Sequence, residues 1–227
     1  MKLSLFLAFL INLIFMGHVM AYDEPQYKVL YSSQNIEIRQ YAPMLIAQVY
    51  VDGDMDEASN KGFRLIASYI FGNNQSVTQS DPEKIAMTTP VTIEPQAEKI
   101  PMTAPVAIEP QSQEGNLVSS QKWRVHFVMP SQYTLANIPK PKDSSVQLKE
   151  LPEQYFLALQ YSGFNTAGKV QQRSHELQAW SKDQGLTIRS TAQLARYNPP
   201  WTLPMFRRNE ILMEIAKPDL SKMKSAE

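Results

Sequence analysis

The eighteen residues Ile36-Glu-Ile-Arg-Gln-Tyr-Ala-Pro-Met-Leu-Ile-Ala-Gln-Val-Tyr-Val-Asp-Gly53 contain two strand-like runs separated by a turn at a proline. Apolar and polar residues alternate in the first run, and the second is a β-rich run that an Asp-Gly pair ends. The same order returns in Val146-Gln-Leu-Lys-Glu-Leu-Pro-Glu-Gln-Tyr-Phe-Leu-Ala-Leu-Gln-Tyr-Ser-Gly163, and the offset is 110 residues at both ends. A spacing that is kept over the whole segment predicts two copies of one structural unit.

Each copy is followed by a predicted helix and then by further strands. Apolar or small residues at three- and four-residue spacing mark the buried face of each helix: Met55, Ala58, Gly62, Leu65, Ile66 and Tyr69 in the first, and Val170, Ser174, Leu177 and Trp180 in the second. The order strand, strand, helix, strand, strand therefore occurs twice, in residues 27–130 and 144–216. This order predicts an α+β fold in which two helices pack on a curved, mostly antiparallel sheet.

A shorter duplication lies inside the first copy. Lys84-Ile-Ala-Met-Thr-Thr-Pro-Val-Thr-Ile-Glu-Pro-Gln96 is nearly repeated as Lys99-Ile-Pro-Met-Thr-Ala-Pro-Val-Ala-Ile-Glu-Pro-Gln111. The distance from Met102 to Trp123 favours the second segment as the strand paired with Trp123–Met129. The first segment is then predicted to be an added strand or hairpin arm.

The N-terminal twenty-one residues are predicted to be a signal peptide. Lys2 precedes an apolar run from Leu3 to Met16, and Val19-Met-Ala21 provides small residues for cleavage after Ala21. An uncleaved anchor is the alternative, but the apolar run is shorter than the roughly 20 residues of a membrane-spanning helix. We therefore expect a secreted or periplasmic protein with no stable membrane span after cleavage.

Charge and cysteine content exclude several classes of function. The chain has 22 basic and 22 acidic residues, so it lacks the basic excess that is typical of nucleic-acid-binding proteins. Cysteine is absent, which excludes disulfides, thiolate ligands and a cysteine nucleophile. No phosphate-binding glycine loop or nucleophile motif is found.

The two histidines after the predicted signal peptide are weak candidates for ligands. In Trp123-Arg-Val-His-Phe-Val-Met129, alternation places His126 on the face opposite the apolar residues, so we expect a partly exposed side chain. His175 shares a helical face with polar residues and is expected to be exposed. The acids at Asp52, Asp54, Asp56 and Glu57 are better explained by helix capping than by a cation site.

Five motifs, in order along the chain, resemble the SOUL haem-binding family. They are Lys84-Ile-Ala-Met-Thr-Thr-Pro-Val91, Val128-Met-Pro130, Tyr161-Ser-Gly-Phe164, Tyr197-Asn-Pro-Pro-Trp201 and Arg207-Arg-Asn-Glu210. The resemblance runs from about Tyr27 to Ile215 and implies a single domain over residues 22–227. It implies a distorted β-barrel from two β-β-α-β-β repeats with two packed helices. It also implies reversible binding of haem or another tetrapyrrole in an apolar groove beside the first helix, without enzymatic activity.

The resemblance also implies positions for the binding site. Contacts of a characterised relative align with Asn60, Phe63, Ala67 and Ser68. Basic residues that meet the haem propionates in the family are replaced by the uncharged Asn60 and Ser68.

Other residues complete the implied site. Lys61 and Arg64 on the same helix are candidates to replace the missing cations, since a propionate needs a nearby positive charge. The loop after Tyr197-Asn-Pro-Pro200 presents Trp201 and Thr202 to the groove. No histidine occurs near the second strand, where some animal members have a proposed axial ligand, so haem binding without a histidine ligand is expected.

Two functions remain open from the sequence. The first is an exported, non-enzymatic carrier or sensor of haem or a related tetrapyrrole, which the Pro-Pro-Trp loop and Phe63 favour. The second is a protein–protein interaction module that kept the fold and lost the ligand, which the missing propionate cations favour.

Overall fold

Strands and two α-helices account for most of residues 24–77, 81–95 and 122–223, the part of the chain that the computed structural model describes. The strands are β1 (Tyr27–Ser33), β2 (Ile36–Tyr41), β3 (Met44–Asp52), β4 (Asn74–Gln75), β5 (Val91–Pro95), β6 (Lys122–Val128), β7 (Lys140–Pro141), β8 (Gln147–Leu151), β9 (Gln154–Tyr161), β10 (Gln193–Arg196) and β11 (Asn209–Ile215). The helices are α1 (Met55–Ile70) and α2 (Ala167–Asp183), and 3-10 turns span Pro204–Phe206 and Leu220–Lys222.

Nine of these strands form one curled antiparallel sheet in the order β1-β2-β9-β11-β10-β5-β6-β3-β8, and β4 pairs separately with β7. If β1 at one edge is left out, the order of the other eight strands is symmetric about the β10–β5 pair. On one side β10 is followed by β11, β9 and β2, and on the other β5 is followed by β6, β3 and β8. Each half of the sheet therefore ends with a strand from the other repeat.

The predicted fold class is confirmed. Each repeat contributes two strands, a helix and two more strands, and the two helices pack on the sheet through a shared apolar core. The first repeat has β2, β3, α1, β5 and β6, and the second has β8, β9, α2, β10 and β11. Among the described residues, no helix combines the length and the apolar character needed to cross a membrane.

The prediction for the duplicated Met-Thr segment is wrong. β5, which belongs to the first copy, pairs with β6 on one side and with β10 on the other. The second edge of β6 pairs with β3, so both edges of β6 are occupied by described strands. The second copy, residues 99–111, lies outside the described residues. The first copy is also tied to its surroundings, because Ile85 N–H donates to Ile70 O and the Thr88 hydroxyl donates to Val128 O.

Helix α1 begins where the acidic cluster lies. The Asp54 carboxylate accepts hydrogen bonds from Asp56 N and Glu57 N, both at 2.9 Å, which satisfies two amides that the first turn leaves unpaired. The capping interpretation is therefore confirmed for Asp54, and Asp56 and Glu57 lie in the first turn of the helix. At the other end, Gly72 adopts a φ of 118°, which favours glycine, directly after the last turn.

Helix α1 lies very close to strand β6 at Gly62. A methyl group at this position would be 2.5 Å from Val125 Cγ2 and 2.6 Å from Val125 Cβ. Val125 is completely buried, so it has little room to move. Glycine is therefore required here for packing, and it sets the distance between the helix and the sheet.

We expect Gly62→Ala to destabilise the protein. Alanine improves helix propensity by up to about 1 kcal/mol, but overpacking a buried contact costs about 1–3 kcal/mol. The overlap includes Val125 Cβ, which no rotamer change can move, so the packing cost should dominate. Urea denaturation should show a lower free energy of unfolding.

Gly168→Ala in the first turn of α2 is the matched control, because no atom lies within 4 Å of its added methyl group. This variant should be as stable as the wild type or more stable. Equal stability of the Gly62 variant and this control would contradict the close-packing argument.

Candidate functional site

The outer face of α1 presents an aromatic side chain among polar ones. Phe63 is 39% exposed, and its ring centroid lies 5.6 Å from that of the fully buried Phe127 of β6. Asn60 and Ser68 are exposed, whereas Ala67 is buried at the helix–sheet contact. The predicted contact positions therefore share a helix, but Ala67 offers little surface to a ligand.

Two cations lie on the exposed side of α1, Arg64 directly after Phe63 and Lys61 on the opposite flank of the helix from Phe63. Lys61 and Arg64 are both exposed, and neither forms an ion pair with a carboxylate in the described ranges. Their charges are therefore not neutralised by a neighbouring acid there.

A third cation, Arg196, was not identified from the sequence. It ends β10, and its guanidinium donates to the Ser59 hydroxyl at 3.2 Å and to the Asp56 carboxylate at 3.1 Å. Its Nε atom is buried and has no hydrogen-bond partner among the described residues. Asp56 is 70% exposed, so this ion pair contributes little to stability. Arg196 joins α1 to the strand that leads into the Pro-Pro-Trp loop.

The loop after β10 is held by the backbone contacts of one arginine. Arg207 donates from Nε to Thr202 O at 2.7 Å and from Nη2 to Pro200 O at 2.6 Å. Trp201 is 81% exposed and Thr202 is half-buried. Arg196, rather than Trp201 or Thr202, provides the hydrogen bonds between this part of the chain and α1.

His126 is not partly exposed, as predicted, but buried. Its exposed fraction is 7%, because the sheet curls and its second face is also covered. Gln48 and Thr92, its partners on the neighbouring strands, are buried as well. Burial, and secondarily the charge of Arg124, lowers the pKa of His126 to about 3, so the imidazole is neutral at physiological pH.

Neither described histidine lies beside α1. The neighbours of His126 in β6, Val125 and Phe127, contact α1, so His126 itself points to the other face of the sheet. His175 is exposed on α2, as predicted. In the described part of the chain, no cluster of three or more His, Cys, Asp or Glu residues could hold a metal ion.

The Arg207-Arg-Asn-Glu210 motif forms a buried ion-pair network. Glu210 is completely buried, and Arg39 of β2 binds it through two hydrogen bonds, Nη1 to Oε2 at 2.7 Å and Nη2 to Oε1 at 3.0 Å. The Tyr197 hydroxyl and Arg208 Nε also donate to this carboxylate. The network lies on the face of the sheet away from α1 and joins the first repeat to the second, so its role is structural.

The pKa of Glu210 is lowered by this network. Burial is the largest single influence and raises the pKa, but the hydrogen bond and charge of Arg39, together with Arg208 and Tyr197, outweigh it. Glu210 is therefore ionised in the folded protein under neutral conditions. The interpretation of this motif as a local ion pair is confirmed by the Arg208–Glu210 contact, and Arg39 extends it.

An open cavity of about 380 Å³ lies elsewhere, between the β1–β2 turn and α2. Its walls include Gln34, Asn35, Glu176, Trp180 and Asp183. Phe63, Lys61 and Arg64 do not line it, so this cavity is separate from the predicted site on α1.

Comparison with solved structures supports the fold. The C-terminal domain of EcmrR superimposes with a TM-score of 0.54 at 9% identity, covering 85% of this chain and 99% of that domain. The EcmrR–DNA complex gives 0.55 at 8% identity, covering 96% of this chain and 65% of that one. A hydrolase from Listeria innocua gives 0.50 at 12% identity, covering 82% and 94%. At such low identities the similarity shows the fold alone.

Comparison of the sequence with models of protein families identifies a family and not only a fold. The model of the SOUL heme-binding protein family matches residues 22–98 and 94–214, which together span nearly all of the chain after the predicted signal peptide. No curated protein sequence matches this chain.

We expect Glu210→Gln to lose about 3–5 kcal/mol of stability at neutral pH, because it leaves the buried Arg39 charge with only the partly exposed Glu37 carboxylate as a counter-charge. The folded-state pKa of Glu210 lies below its unfolded value of about 4.5, so the ion pair stabilises the wild type above that pH. As the pH falls below 4.5 and Glu210 protonates, the difference between wild type and variant should shrink. Urea denaturation between neutral and acidic pH measures this.

Glu176→Gln serves as the matched control. It removes a partly exposed ion pair with Arg173 on α2, and should cost less than about 1 kcal/mol at any pH. A pH-independent loss in the Glu210 variant would contradict the role of its ionisation.

Proposed function

Since this chain belongs to the SOUL haem-binding protein family, we propose that it is an exported, non-enzymatic protein that holds haem or a related tetrapyrrole beside α1. The observation that carries the proposal is the exposed Phe63 ring with Lys61, Arg64 and Arg196 on the same helix or against it. Export rests on the predicted signal peptide, residues 1–21.

The chemistry of this surface suits a flat apolar anion. A porphyrin ring can cover the exposed part of Phe63, and burying apolar surface contributes roughly 25 cal/mol per Å². Its two propionates require cations, and charge-assisted hydrogen bonds from arginine are the strong kind. Arg196 is proposed as a donor to one propionate because its partly exposed guanidinium lies against α1, in contact with Ser59 and Asp56.

Iron ligation is not the proposed source of affinity. His126 faces away from α1, and His175 is exposed on α2. Phe63, Lys61, Arg64 and Arg196 would hold the ring and its propionates, whereas the bound haem itself would supply the iron. The family is a haem-binding family rather than a family of enzymes, so haem is proposed as cargo.

Hemin titration of the purified protein tests the proposal. We expect a saturable change in the Soret band and in tryptophan fluorescence at micromolar hemin. Phe63→Asp should weaken binding at least tenfold, because it places a charge against the porphyrin. Phe71→Asp, at an exposed position just beyond the end of α1, is the control and should bind normally. His126→Ala should leave the spectrum unchanged. No saturable change with the wild type would disprove the proposal.

The role of Arg196 can be tested with esterified porphyrin. Arg196→Gln should weaken hemin binding about tenfold, the usual effect of losing one charge-assisted hydrogen bond. The same variant should bind protoporphyrin dimethyl ester as well as the wild type does, since the ester carries no carboxylate. Arg189→Gln, an exposed arginine of the second repeat, should bind both ligands normally. Equal weakening for both ligands would mean that Arg196 acts on the fold and not on a propionate.

A further inference from the structure

An exposed apolar surface covers the loops next to the N-terminus of α2. Five large apolar side chains are between 59% and 81% exposed there, and we name them the apolar loop surface: Phe164, Trp201, Leu203, Met205 and Phe206. Single exposed apolar residues are common, whereas several large ones on neighbouring loops are typical of an interaction site.

The two loops that carry these residues are joined to each other. Gly163 N–H donates to Pro204 O at 2.8 Å, and the Arg207 guanidinium lies 5.6 Å from the centre of the Phe164 ring. A 3-10 turn at Pro204–Phe206 fixes the end of the longer loop. The apolar loop surface is therefore a defined protrusion and not a set of unrelated side chains.

Positive charge lies at the base of this surface. Arg207 donates to the carbonyls of Pro200 and Thr202, and Lys169 donates to Ser162 O at 2.8 Å. Neither forms an ion pair with a carboxylate in the parts of the chain described, and residues 198–208 contain no acid. The positive charge of Arg207 and Lys169 is therefore not balanced by a paired carboxylate in the described residues.

We propose that the apolar loop surface docks the protein onto the surface of an anionic lipid bilayer. Tryptophan and phenylalanine with aliphatic neighbours insert favourably at the boundary of headgroups and acyl chains. Each cation near an anionic leaflet adds to the attraction. This inference goes beyond tetrapyrrole binding and does not depend on it.

The shape of the surface favours a membrane over a small ligand. A pocket buries most of the surface of its ligand, whereas these side chains project from the protein and could contact a ligand on one side only. A bilayer is a broad partner that can take up all five side chains at once. Cations behind the apolar tips match a layer of anionic headgroups above the acyl chains.

Vesicle co-sedimentation of the mature protein, residues 22–227 without haem, tests this proposal. Wild type should bind vesicles of phosphatidylcholine mixed with phosphatidylglycerol more tightly than vesicles of phosphatidylcholine alone. Met205→Ser/Phe206→Ser should reduce the partition coefficient about tenfold or more, and it leaves Trp201 and Thr202 intact. Phe71→Ser/Leu135→Ser removes two apolar side chains that are also exposed but lie elsewhere, and should bind like the wild type. Residues 1–21 are left out of the wild type and of every variant, so this apolar segment cannot hold the protein on the vesicles.

Two further measurements make the test specific. Lys169→Gln should weaken binding to the anionic vesicles only, whereas Lys182→Gln at the other end of α2 should not. Lipids brominated on the acyl chains should quench tryptophan fluorescence in the wild type but not in Trp201→Phe. The other two described tryptophans lie away from the apolar loop surface, because Trp123 is fully buried and Trp180 of α2 packs near Tyr31 of β1.

Three outcomes would overturn membrane docking. The first is equal partitioning of the Met205/Phe206 double variant and the wild type, and the second is equal binding to both kinds of vesicle. The third is a dimer in sedimentation that the double variant loses, without vesicle binding, which would assign the surface to a second copy of the chain. Hemin binding is measured separately, so failure of one proposal is distinguishable from failure of the other.

Discussion

The contact between Gly62 and Val125 controls the candidate site. Because no methyl group fits between them, the axis of α1 lies closer to β6 than a larger residue would allow. In this position the Phe63 ring lies 5.6 Å from the buried Phe127 ring and is still 39% exposed. The same approach brings Ser59 within reach of Arg196 on β10. If α1 lay farther from the sheet, Phe63 would be separated from Arg196. A ligand that contacts both residues therefore requires the close packing at Gly62.

The two faces of the sheet are stabilised by different interactions. The face toward the helices is apolar and supplies most of the core. The opposite face carries buried charge, with Glu210 held by Arg39 and Arg208, and Glu94 paired with Arg124. A buried carboxylate is tolerated only when it is well paired. Because Arg39 and Glu210 come from different repeats, this pairing also fixes the register between the two copies.

The repeat, the two helices and most strand positions could be predicted because period-two and three-to-four patterns are local properties of the chain. Alternation also placed His126 on the correct face, but it could not show that curling of the sheet covers this face. The duplicated Met-Thr segments have the same apolar pattern, so only tertiary contacts distinguish them. Arg196 and Arg39 were missed as partners because their contacts lie 137 and 171 residues away along the chain.

The arrangement of cations argues for a ligand defined by its ring and its carboxylates. If a tetrapyrrole lies against Phe63, the cations placed on that side of α1 are Arg64 and Arg196, and they are the proposed partners of its propionates. The imidazole of His126 is neutral, buried and on the far side of the sheet, so it contributes nothing to metal preference at α1. Such a site would not distinguish strongly between a porphyrin with iron and one without it. Selectivity would then depend on the number and spacing of the carboxylates on the ligand, because these are the groups that arginine and lysine side chains bind.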